Sequence, residues 1–301
     1  MRFVVTGGAG FIGSHIVKNL LKSGHEVSVI DNMHTGRKEN ISSILDNINF
    51  YEYDIRDYEK IESVLSSCDG IFHEAALTVV QESFIKQKDY HEVNVVGTRN
   101  IFEISKKYDL KVIFASSSSI YGNALKIPIN EDAPRMPINP YGQTKLDDEK
   151  LAQQFNIDGG KIIGLRYFNV FGKGQTGSYA GVITKFMNNL NEKLDLVING
   201  DGTQVRDFVH VEDVAKANLL AMESSISKGF FNIGTGVKTS ITELAKMMID
   251  IWNSSSGIKF AKALEGDVKI SQADIKLTQK TLGWKYNMSL REGLKNLKKQ
   301  G

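Results

Sequence analysis

The chain begins with a glycine-rich turn directly behind a short apolar stretch. Arg2–Thr6 has the pattern of a buried strand, the turn reads Gly7-Gly8-Ala9-Gly10-Phe11-Ile12-Gly13, and apolar residues then recur at helical spacing as far as Leu21. In this order of elements the glycines let the backbone approach a pyrophosphate, and the helix N-terminus offers it free N–H groups. The motif predicts a dinucleotide site, although an ordinary glycine turn has the same pattern.

An acidic residue ends the second apolar run. Asp31 follows Val27-Ser28-Val29-Ile30 and lies 24 residues after Gly7, where a carboxylate can accept hydrogen bonds from an adenosine ribose. The same charge repels a 2′-phosphate, so the sequence favours NAD over NADP. Arg37, six residues further on, carries a positive charge and is the argument for NADP. Asp54 follows the third apolar run and is suited either to an adenine contact or to capping the next helix.

Apolar and amphipathic segments alternate over the first part of the chain. The apolar runs that we expect to form strands contain Val4, Val27, Phe50, Ile71, Val112 and Ile162. This alternation predicts an α/β fold with a doubly wound parallel sheet of the Rossmann type. We predict an NAD-binding domain over residues 1–171. Residues 172–301 would mainly form a smaller, partly interleaved substrate-binding domain, with glycine-rich turns at 172–181 and 199–202, a helix near 240–252 and segments that return to the Rossmann core.

Composition argues against several other classes of protein. The chain has 37 basic and 35 acidic residues, a balance that does not suit binding to nucleic acid or to a membrane surface. The single Cys68 excludes an intrachain disulfide framework, and the six histidines show no paired spacing that predicts a metal site. No apolar run is long enough to cross a bilayer, and a strand starting at residue 2 leaves no room for a signal peptide, so we expect a cytoplasmic protein.

A tyrosine and a lysine are spaced for acid–base chemistry. Tyr141 and Lys145 are four residues apart at the start of a predicted helix and therefore share one face. The lysine charge, together with an oxidised nicotinamide, favours the phenolate, which can act as a base near neutral pH. Ser117 would hydrogen-bond the same substrate hydroxyl, and Ser118 is the alternative because the serine run permits a shift of one residue. Tyr-x-x-x-Lys by itself is also common on helix surfaces.

The ordered motifs resemble those of the extended short-chain dehydrogenase/reductases, specifically the NAD-dependent sugar-nucleotide epimerase/dehydratase branch. The resemblance covers nearly the whole chain. Besides the glycine turn with Asp31-Asn32, its motifs are His73-Glu74-Ala75-Ala76, Asn94-Val95-Val96-Gly97-Thr98, Ser116-Ser117-Ser118-Ser119-Ile120-Tyr121-Gly122, Pro140-Tyr141-Gly142-Gln143-Thr144-Lys145, Arg166-Tyr167-Phe168-Asn169, the segment from Gly202 to Val211, Asn232-Ile233-Gly234 and Gly266-Asp267.

The serine run distinguishes among the reactions of this branch. The resemblance implies an Asp-Glu pair after the hydroxyl residue in 4,6-dehydratases and a nearby glutamate in decarboxylases, but this chain has Ser118 and Ser119 there. It therefore implies 4-epimerisation of UDP-glucose and UDP-galactose through a transient 4-keto sugar. Tyr141 would remove the C4 hydroxyl proton as hydride passes to NAD. The sugar would then turn about its phosphate linkage and receive the hydride on its other face.

The resemblance also assigns roles to individual positions. Cofactor contacts fall on Gly7, Gly10, Phe11, Ile12, Asp31, Asn32, Asp54, Ile55, Ala75, Ala76, Leu77, Asn94, Tyr141, Lys145 and Phe168. Substrate contacts fall on Thr78, Ser117, Tyr141, Asn169, Arg206 and Asp267. Arg206 is expected to bind the diphosphate, since a guanidinium can hold two phosphate oxygens. The alternatives are a salt bridge from Arg206 to Asp207 or Glu212, and a turn capped by Asp267.

One position departs from the family pattern. Leu264 stands three residues before Asp267, where an arginine on the diphosphate is usual, and Lys262 or Lys269 could supply the missing charge. The sugar could also be an N-acetylated hexosamine or a uronate. Two other functions remain open: a sugar-nucleotide 4-reductase that consumes NAD(P)H, and a dinucleotide-sensing protein without turnover. A homodimer is expected by resemblance, through the segments 94–108 and 143–155.

Overall fold

The structure is a computed structural model that describes residues 1–175 and 181–300. The first elements along the chain are β1 (Arg2–Thr6), α1 (Phe11–Lys22), β2 (Glu26–Ile30), α2 (Lys38–Ile41), β3 (Ile48–Tyr51), α3 (Tyr58–Leu65), β4 (Gly70–His73), α4 (Val80–Ile85), α5 (Gln87–Tyr90), α6 (Gly97–Lys107), β5 (Lys111–Ser117), α7 (Pro140–Ile157) and β6 (Lys161–Tyr167). One turn of π-helix, His91–Val96, leads into α6, and a 3₁₀ helix, Ser118–Tyr121, follows β5. Strands and helices alternate as the sequence predicts.

The later elements are shorter and less regularly ordered. They are β7 (Asn169–Phe171), α8 (Val182–Asn191), β8 (Leu196–Asn199), β9 (Val205–His210), α9 (Val211–Glu223), β10 (Gly229–Ile233), β11 (Lys238–Ser240), α10 (Ile241–Trp252), β12 (Ile258–Ala261), α11 (Lys276–Leu282) and α12 (Leu290–Gln300). The helix predicted near 240–252 is α10, which starts with a capping box between Ser240 and Glu243. Part of the turn predicted at 172–181, residues 176–180, lies outside the described residues.

Seven parallel strands form the main sheet, in the order β10-β6-β5-β4-β1-β2-β3. The predicted doubly wound Rossmann sheet is thereby confirmed. The strand order reverses between β1 and β4, and ligands of such sheets bind at the carboxyl ends of the strands near this point. β10, from the region after residue 171, forms the edge strand of the main sheet, as expected for a segment that returns to the Rossmann core. The division into an NAD-binding and a substrate-binding domain at residue 171 stays a proposal.

The main sheet buries both of its faces. On β1, Val4 belongs to one apolar core with Ile71 and Phe102, whereas Phe3 and Val5 belong to the other, which includes residues of α1 and α9. Successive side chains of a strand point to opposite faces, which explains this division. Each fully buried aliphatic side chain stabilises the fold by roughly 1.5–3 kcal/mol. Because both faces of the sheet are covered, a ligand can reach the sheet only at the ends of its strands, and in sheets of this type it binds at the carboxyl ends.

Two small sheets carry the remaining strands. β9 pairs with β7 in parallel and with β11 in antiparallel, and β8 pairs with β12 in parallel. A third apolar core, which includes Phe186, Ile198 and Leu244, lies beneath them.

Cys68 is half-buried against the core of the main sheet, and burial raises the pKa of its thiol to about 11. Among the described residues, no helix has the length and apolar content needed to cross a membrane.

Candidate active site

A cleft of about 600 Å³ lies at the carboxyl ends of the parallel strands. It collects predicted residues that are far apart in the sequence. Those that line it are Gly7, Gly10, Phe11, Ile12, Asp31, Asn32, Ile55, Ala75, Ala76, Leu77, Thr78, Ser117, Tyr141, Lys145, Phe168 and Asn169. Four predicted contacts do not line this cleft: Asp54, Asn94, Arg206 and Asp267.

The glycine turn forms the floor of the cleft between β1 and α1. Gly7 has φ +68°, and a Cβ placed there would lie 2.7 Å from the backbone nitrogen of Ala75. A Cβ at Gly13 would lie 2.2 Å from the carbonyl oxygen of Gly7, so helix and turn can pack this closely only with glycine. Gly10 precedes α1 without a capping side chain. The first N–H groups of α1 are therefore available to a pyrophosphate.

Asp31 lies at the end of β2 and is almost completely buried. Its carboxylate accepts hydrogen bonds from the backbone nitrogens of Ala9, at 3.0 Å, and Met33, at 2.8 Å. Burial raises the pKa of Asp31, and the two backbone donors oppose this shift. Arg37 is exposed and does not line the cleft. The arrangement fits an adenosine ribose with free hydroxyls better than a 2′-phosphate.

Asp54 organises the loop after β3. It accepts two hydrogen bonds from the guanidinium of Arg56, each 2.8 Å long, and one from the side chain of Asn32. These donors hold the pKa of Asp54 well below its ordinary value. The capping alternative for Asp54 is wrong, because the residue that caps α3 is Asp57. Ile55 and Arg56 line the cleft beside Asn32, whereas Asp54 holds them in position.

Asn94 supports the loop that follows β4. Its fully buried amide accepts a hydrogen bond from the backbone nitrogen of Leu77 and donates to the carbonyl oxygen of the same residue. It also donates to the hydroxyl of Thr144 on α7, at 3.0 Å. Asn94 thus joins the loop to α7 from behind the cleft wall. Its predicted direct contact with the cofactor stays a prediction.

Tyr141 and Lys145 lie in the first turns of α7. Asn139 caps this helix by accepting from the backbone nitrogen of Gly142, and Pro140 occupies the first helical position, where its missing N–H has no cost. Lys145 is 3% exposed, and its ammonium lies 3.3 Å from the carboxylate of Asp148 one turn further on. Tyr141 and Lys145 both line the cleft that the glycine turn lines, so the predicted acid–base pair lies beside the predicted dinucleotide site.

The two candidate serines are placed differently. Ser117 lines the cleft at the end of β5, whereas Ser118 belongs to the following 3₁₀ helix and does not line it. The hydroxyl of Ser117 donates to the Ser119 hydroxyl at 3.0 Å and accepts from the Ser119 backbone nitrogen at 3.1 Å. Ser116 donates to Glu149 at 2.6 Å. This geometry favours Ser117 as the residue that contacts a substrate hydroxyl.

A buried ion pair fixes α7 against the sheet. Arg166 on β6 donates two hydrogen bonds to Glu149, of 2.8 and 2.9 Å, and Glu149 is completely buried. Arg166 also donates to the hydroxyl of Tyr121, at 2.7 Å. Because every bond of this network joins two different elements, it sets the position of α7 and hence of its catalytic face.

Glu74 is a residue of the cleft to which the sequence motifs assign no role, although it lies in His73-Glu74-Ala75-Ala76. Glu74 lines the cleft together with Tyr167, whose hydroxyl donates to the glutamate at 2.9 Å. Asn218 donates in turn to the hydroxyl of Tyr167. Burial raises the pKa of Glu74 to about 8. Its position directly after β4, at the carboxyl edge of the sheet, was the signal in the sequence that could have identified it.

Arg206 and Asp267 are brought together, 61 residues apart in the chain. The guanidinium of Arg206, on β9, donates to the carboxylate of Asp267 at 2.5 Å. The alternative partners for Arg206 are wrong: Asp207 accepts from backbone N–H groups, and Glu212 accepts from His15. The hydrogen bond that the Asp267 side chain accepts comes from the Arg206 guanidinium, which does not support the alternative in which Asp267 caps a turn. The two predicted substrate contacts, of which Arg206 is the expected diphosphate ligand, thus meet each other and do not line the cleft.

Comparisons with known proteins agree with this geometry. The model of the NAD dependent epimerase/dehydratase family matches residues 3–234. The chain belongs to this family. It is therefore an NAD-dependent enzyme of the UDP-sugar epimerase/dehydratase group, and the predicted family and cofactor are confirmed. Within the described residues, no group of His, Cys, Asp and Glu side chains is arranged to hold a metal ion.

Relatives in the epimerase family cover almost the full chain. The UDP-glucose 4-epimerase of Bacillus subtilis is 33% identical over 319 residues, covering 97% of this chain and 94% of the relative. The crystal structure of the Thermotoga maritima UDP-glucose 4-epimerase with UDP-glucose has 38% identity and a TM-score of 0.94, covering 98% and 96% of the two chains. The Methanobrevibacter ruminantium UDP-N-acetylglucosamine 4-epimerase, in complex with UDP-N-acetylmuramic acid, has 35% identity and a TM-score of 0.93, covering 100% and 99%.

Proposed function

We propose that this enzyme interconverts UDP-glucose and UDP-galactose by epimerisation at C4. The observation that carries the proposal is that Tyr141, Lys145 and Ser117 line the same cleft as the glycine turn and Asp31. The serines that follow Ser117 are poor acids and bases, so the machinery for eliminating water is missing from that position. A 4-epimerase needs only the common proton and hydride transfers. The relatives with UDP-glucose and with UDP-N-acetylglucosamine activity support a UDP-sugar substrate.

In the proposed reaction, Tyr141 accepts the proton of the C4 hydroxyl and returns it at the end of the cycle. The ammonium of Lys145 favours the ionised phenol, and Ser117 orients the hydroxyl by a hydrogen bond. When bound, NAD supplies the reversible uptake of a hydride from C4. The residues that would hold it are those of the glycine turn, with Asp31 at the ribose. Since proton and hydride both return to the sugar, each cycle regenerates the starting enzyme.

We expect NAD to copurify with the protein, and a coupled assay to detect conversion of UDP-galactose to UDP-glucose without added cofactor. The cofactor is identified by denaturing the protein and assaying the supernatant with NAD-specific and NADP-specific dehydrogenases. A panel of UDP-glucose, UDP-N-acetylglucosamine and UDP-glucuronate separates the sugar classes. Recovery of NADP, or a stoichiometric need for NADPH, would contradict the epimerase proposal and favour the 4-reductase. NAD without turnover of any UDP-sugar would favour a dinucleotide-sensing protein.

A substitution at Leu264 tests how the diphosphate is bound. Leu264 is 41% exposed and follows β12, in the same loop as the Asp267 partner of Arg206. If Arg206 is the principal cation, Leu264→Arg should lower the KM for UDP-galactose about tenfold, because a hydrogen bond to a charged group contributes roughly 1.5–3 kcal/mol at best. The kcat should change little, since the contact is remote from C4.

Steady-state kinetics of the Leu264→Arg and Lys262→Ala proteins decide this question. Unchanged or weaker binding in Leu264→Arg shows that no cation is missing at this position. A large rise in KM confined to Lys262→Ala identifies that lysine as the compensating charge. Circular dichroism of both variants checks that a change in KM does not come from partial unfolding.

Three further expectations stay predictions. They are the homodimer through segments 94–108 and 143–155, the cytoplasmic location, and the division into an NAD-binding and a substrate-binding domain at residue 171.

A further inference from the structure

A second carboxylate lies beside the proposed catalytic lysine. Asp148, on α7, is completely buried, and one of its oxygens is 3.3 Å from the ammonium of Lys145. Its other oxygen has no hydrogen-bond partner in the part of the chain that the structure describes. A buried carboxylate without full hydrogen bonding is costly, so its burial next to Lys145 requires an explanation.

Asp148 is on the catalytic face of the helix. Tyr141, Lys145 and Asp148 occupy positions i, i+4 and i+7, which share one side of an α-helix. At a rise of 1.5 Å per residue, Tyr141 and Asp148 are about 10 Å apart along the helix axis. At this distance, through a partly buried site, a unit charge changes the ionisation of a phenol measurably. The charge of Asp148 opposes the charge of Lys145.

The other charges near this pair on α7 are compensated within the described residues. Asp147 is half-buried and pairs with Lys150 on the surface of the helix. Glu149 pairs with Arg166 from β6 and, at 3.4 Å, with Arg135. Burial raises the pKa of Asp148 to about 7, the charge and hydrogen bond of Lys145 oppose this shift, and Asp147 and Glu149 make only the smallest contributions.

Two titratable groups at the end of β4 lie within the field of the Lys145 charge. His73 on β4 is buried between the hydroxyls of Thr6 and Thr98, and burial together with the charge of Lys145 lowers its pKa to about 3. It is therefore neutral over the working range. Glu74, after β4, has a pKa raised to about 8 by burial. Ser116 of β5 and Asn94 of the π-helix, which contact α7 side chains, carry no charge. α4 and α5 also pack against α7 and add the ion pair of Glu82 with Lys86, and Asp89, to the lining of the cleft.

We propose that Asp148 is a positioning residue that holds the ammonium of Lys145 and, by compensating its charge, sets the pH at which Tyr141 becomes a base. The proposal rests on the proposed function for the role of Tyr141. When Asp148 is ionised, it offsets part of the lysine charge, and the phenolate is less stabilised. When Asp148 takes up a proton, the full lysine charge acts on Tyr141. The ionisation of Tyr141 is thereby coupled to that of Asp148, whose pKa is raised to about 7.

The first test compares the pH dependence of kcat in the NAD-loaded parent, Asp148→Asn and Asp147→Asn proteins. The asparagine amide keeps the shape of Asp148 and can still accept a hydrogen bond from Lys145. We expect Asp148→Asn to move the acid limb of the profile to lower pH by about one unit, as for a unit charge about 10 Å away at an effective dielectric constant of ~20. Asp147→Asn removes the same charge one residue away on the solvent side, and its limb should stay with the parent.

The second test does not depend on turnover. The ultraviolet absorbance of phenolate is titrated in the NAD complexes of the parent and Asp148→Asn proteins, each against its own Tyr141→Phe partner, so that the difference reports Tyr141 alone. We expect the midpoint in Asp148→Asn to fall by the same amount as the acid limb. A shift of the midpoint without epimerase activity would support the role of Asp148 and overturn only the proposed function.

An unchanged or raised midpoint in Asp148→Asn overturns the proposal, even if the variant loses activity or thermal stability, because those losses are what a purely structural residue would show. Should the asparagine variant fail to fold, Asp148→Ser removes the charge with a smaller side chain. The same downward shift is then expected, and its absence has the same meaning.

Discussion

Tyr141→Phe should lower the kcat for UDP-galactose by at least about 100-fold, the usual scale for the loss of a positioned acid–base group. The phenylalanine ring fills the same space at the start of α7 but cannot accept the C4 hydroxyl proton. The fold should be nearly unaffected, because no hydrogen bond from the Tyr141 hydroxyl holds the described elements together. Measurements of kcat, of the circular dichroism spectrum and of the NAD content of the purified variant check these three statements.

Ser117→Ala is the matched comparison for Tyr141→Phe. It also removes one hydroxyl from the cleft, yet in the proposed reaction Ser117 orients the substrate and transfers no proton. The loss of kcat should therefore be smaller than in Tyr141→Phe. If Tyr141→Phe retains activity within a few-fold of the parent, Tyr141 is not the proton carrier and the mechanism needs another base.

Glu149→Ala should lower the free energy of unfolding by about 3–5 kcal/mol, the range for breaking a buried ion pair by removal of one partner. Glu149 is completely buried and receives two hydrogen bonds from Arg166, one from Ser116 and a longer one, of 3.4 Å, from Arg135. Without it, the guanidinium on β6 is left buried and without its counter-charge. Urea denaturation at neutral pH, with the bound cofactor kept constant, measures the change.

Two companion variants show whether the uncompensated charge is the cause. Asp147→Ala removes the neighbouring carboxylate, which pairs with Lys150 at the surface, and should cost less than about 1 kcal/mol. Arg166→Met added to Glu149→Ala removes the stranded charge and should recover part of the stability. A loss below about 1 kcal/mol in Glu149→Ala, or no recovery in the double variant, would contradict this interpretation of the network.

The sequence alone determined the features that depend on local patterns. Each apolar run predicted as a strand is a strand of the main sheet, and in the inner strands this follows because burial on both faces of a parallel sheet requires a continuous apolar segment. The glycine turn lies where the sequence predicts it, since a Cβ at Gly7 would clash with the backbone of Ala75 and a Cβ at Gly13 would clash with the carbonyl oxygen of Gly7. The faces of α7 follow from its periodicity, which placed Tyr141 and Lys145 together.

Only the tertiary structure decided which side chains distant along the chain meet, and what each one is paired with. The sequence offers Asp207 and Glu212 as alternative ion-pair partners for Arg206, but Arg206 contacts Asp267, which a separate loop brings to it. Asp54 holds the cleft wall through Arg56 instead of capping a helix. Whether Asp148 is buried against Lys145 also depends on the packing of α7. Local patterns specify backbone conformation and the buried face, whereas ion pairs and desolvation depend on elements that only the folded chain brings into contact.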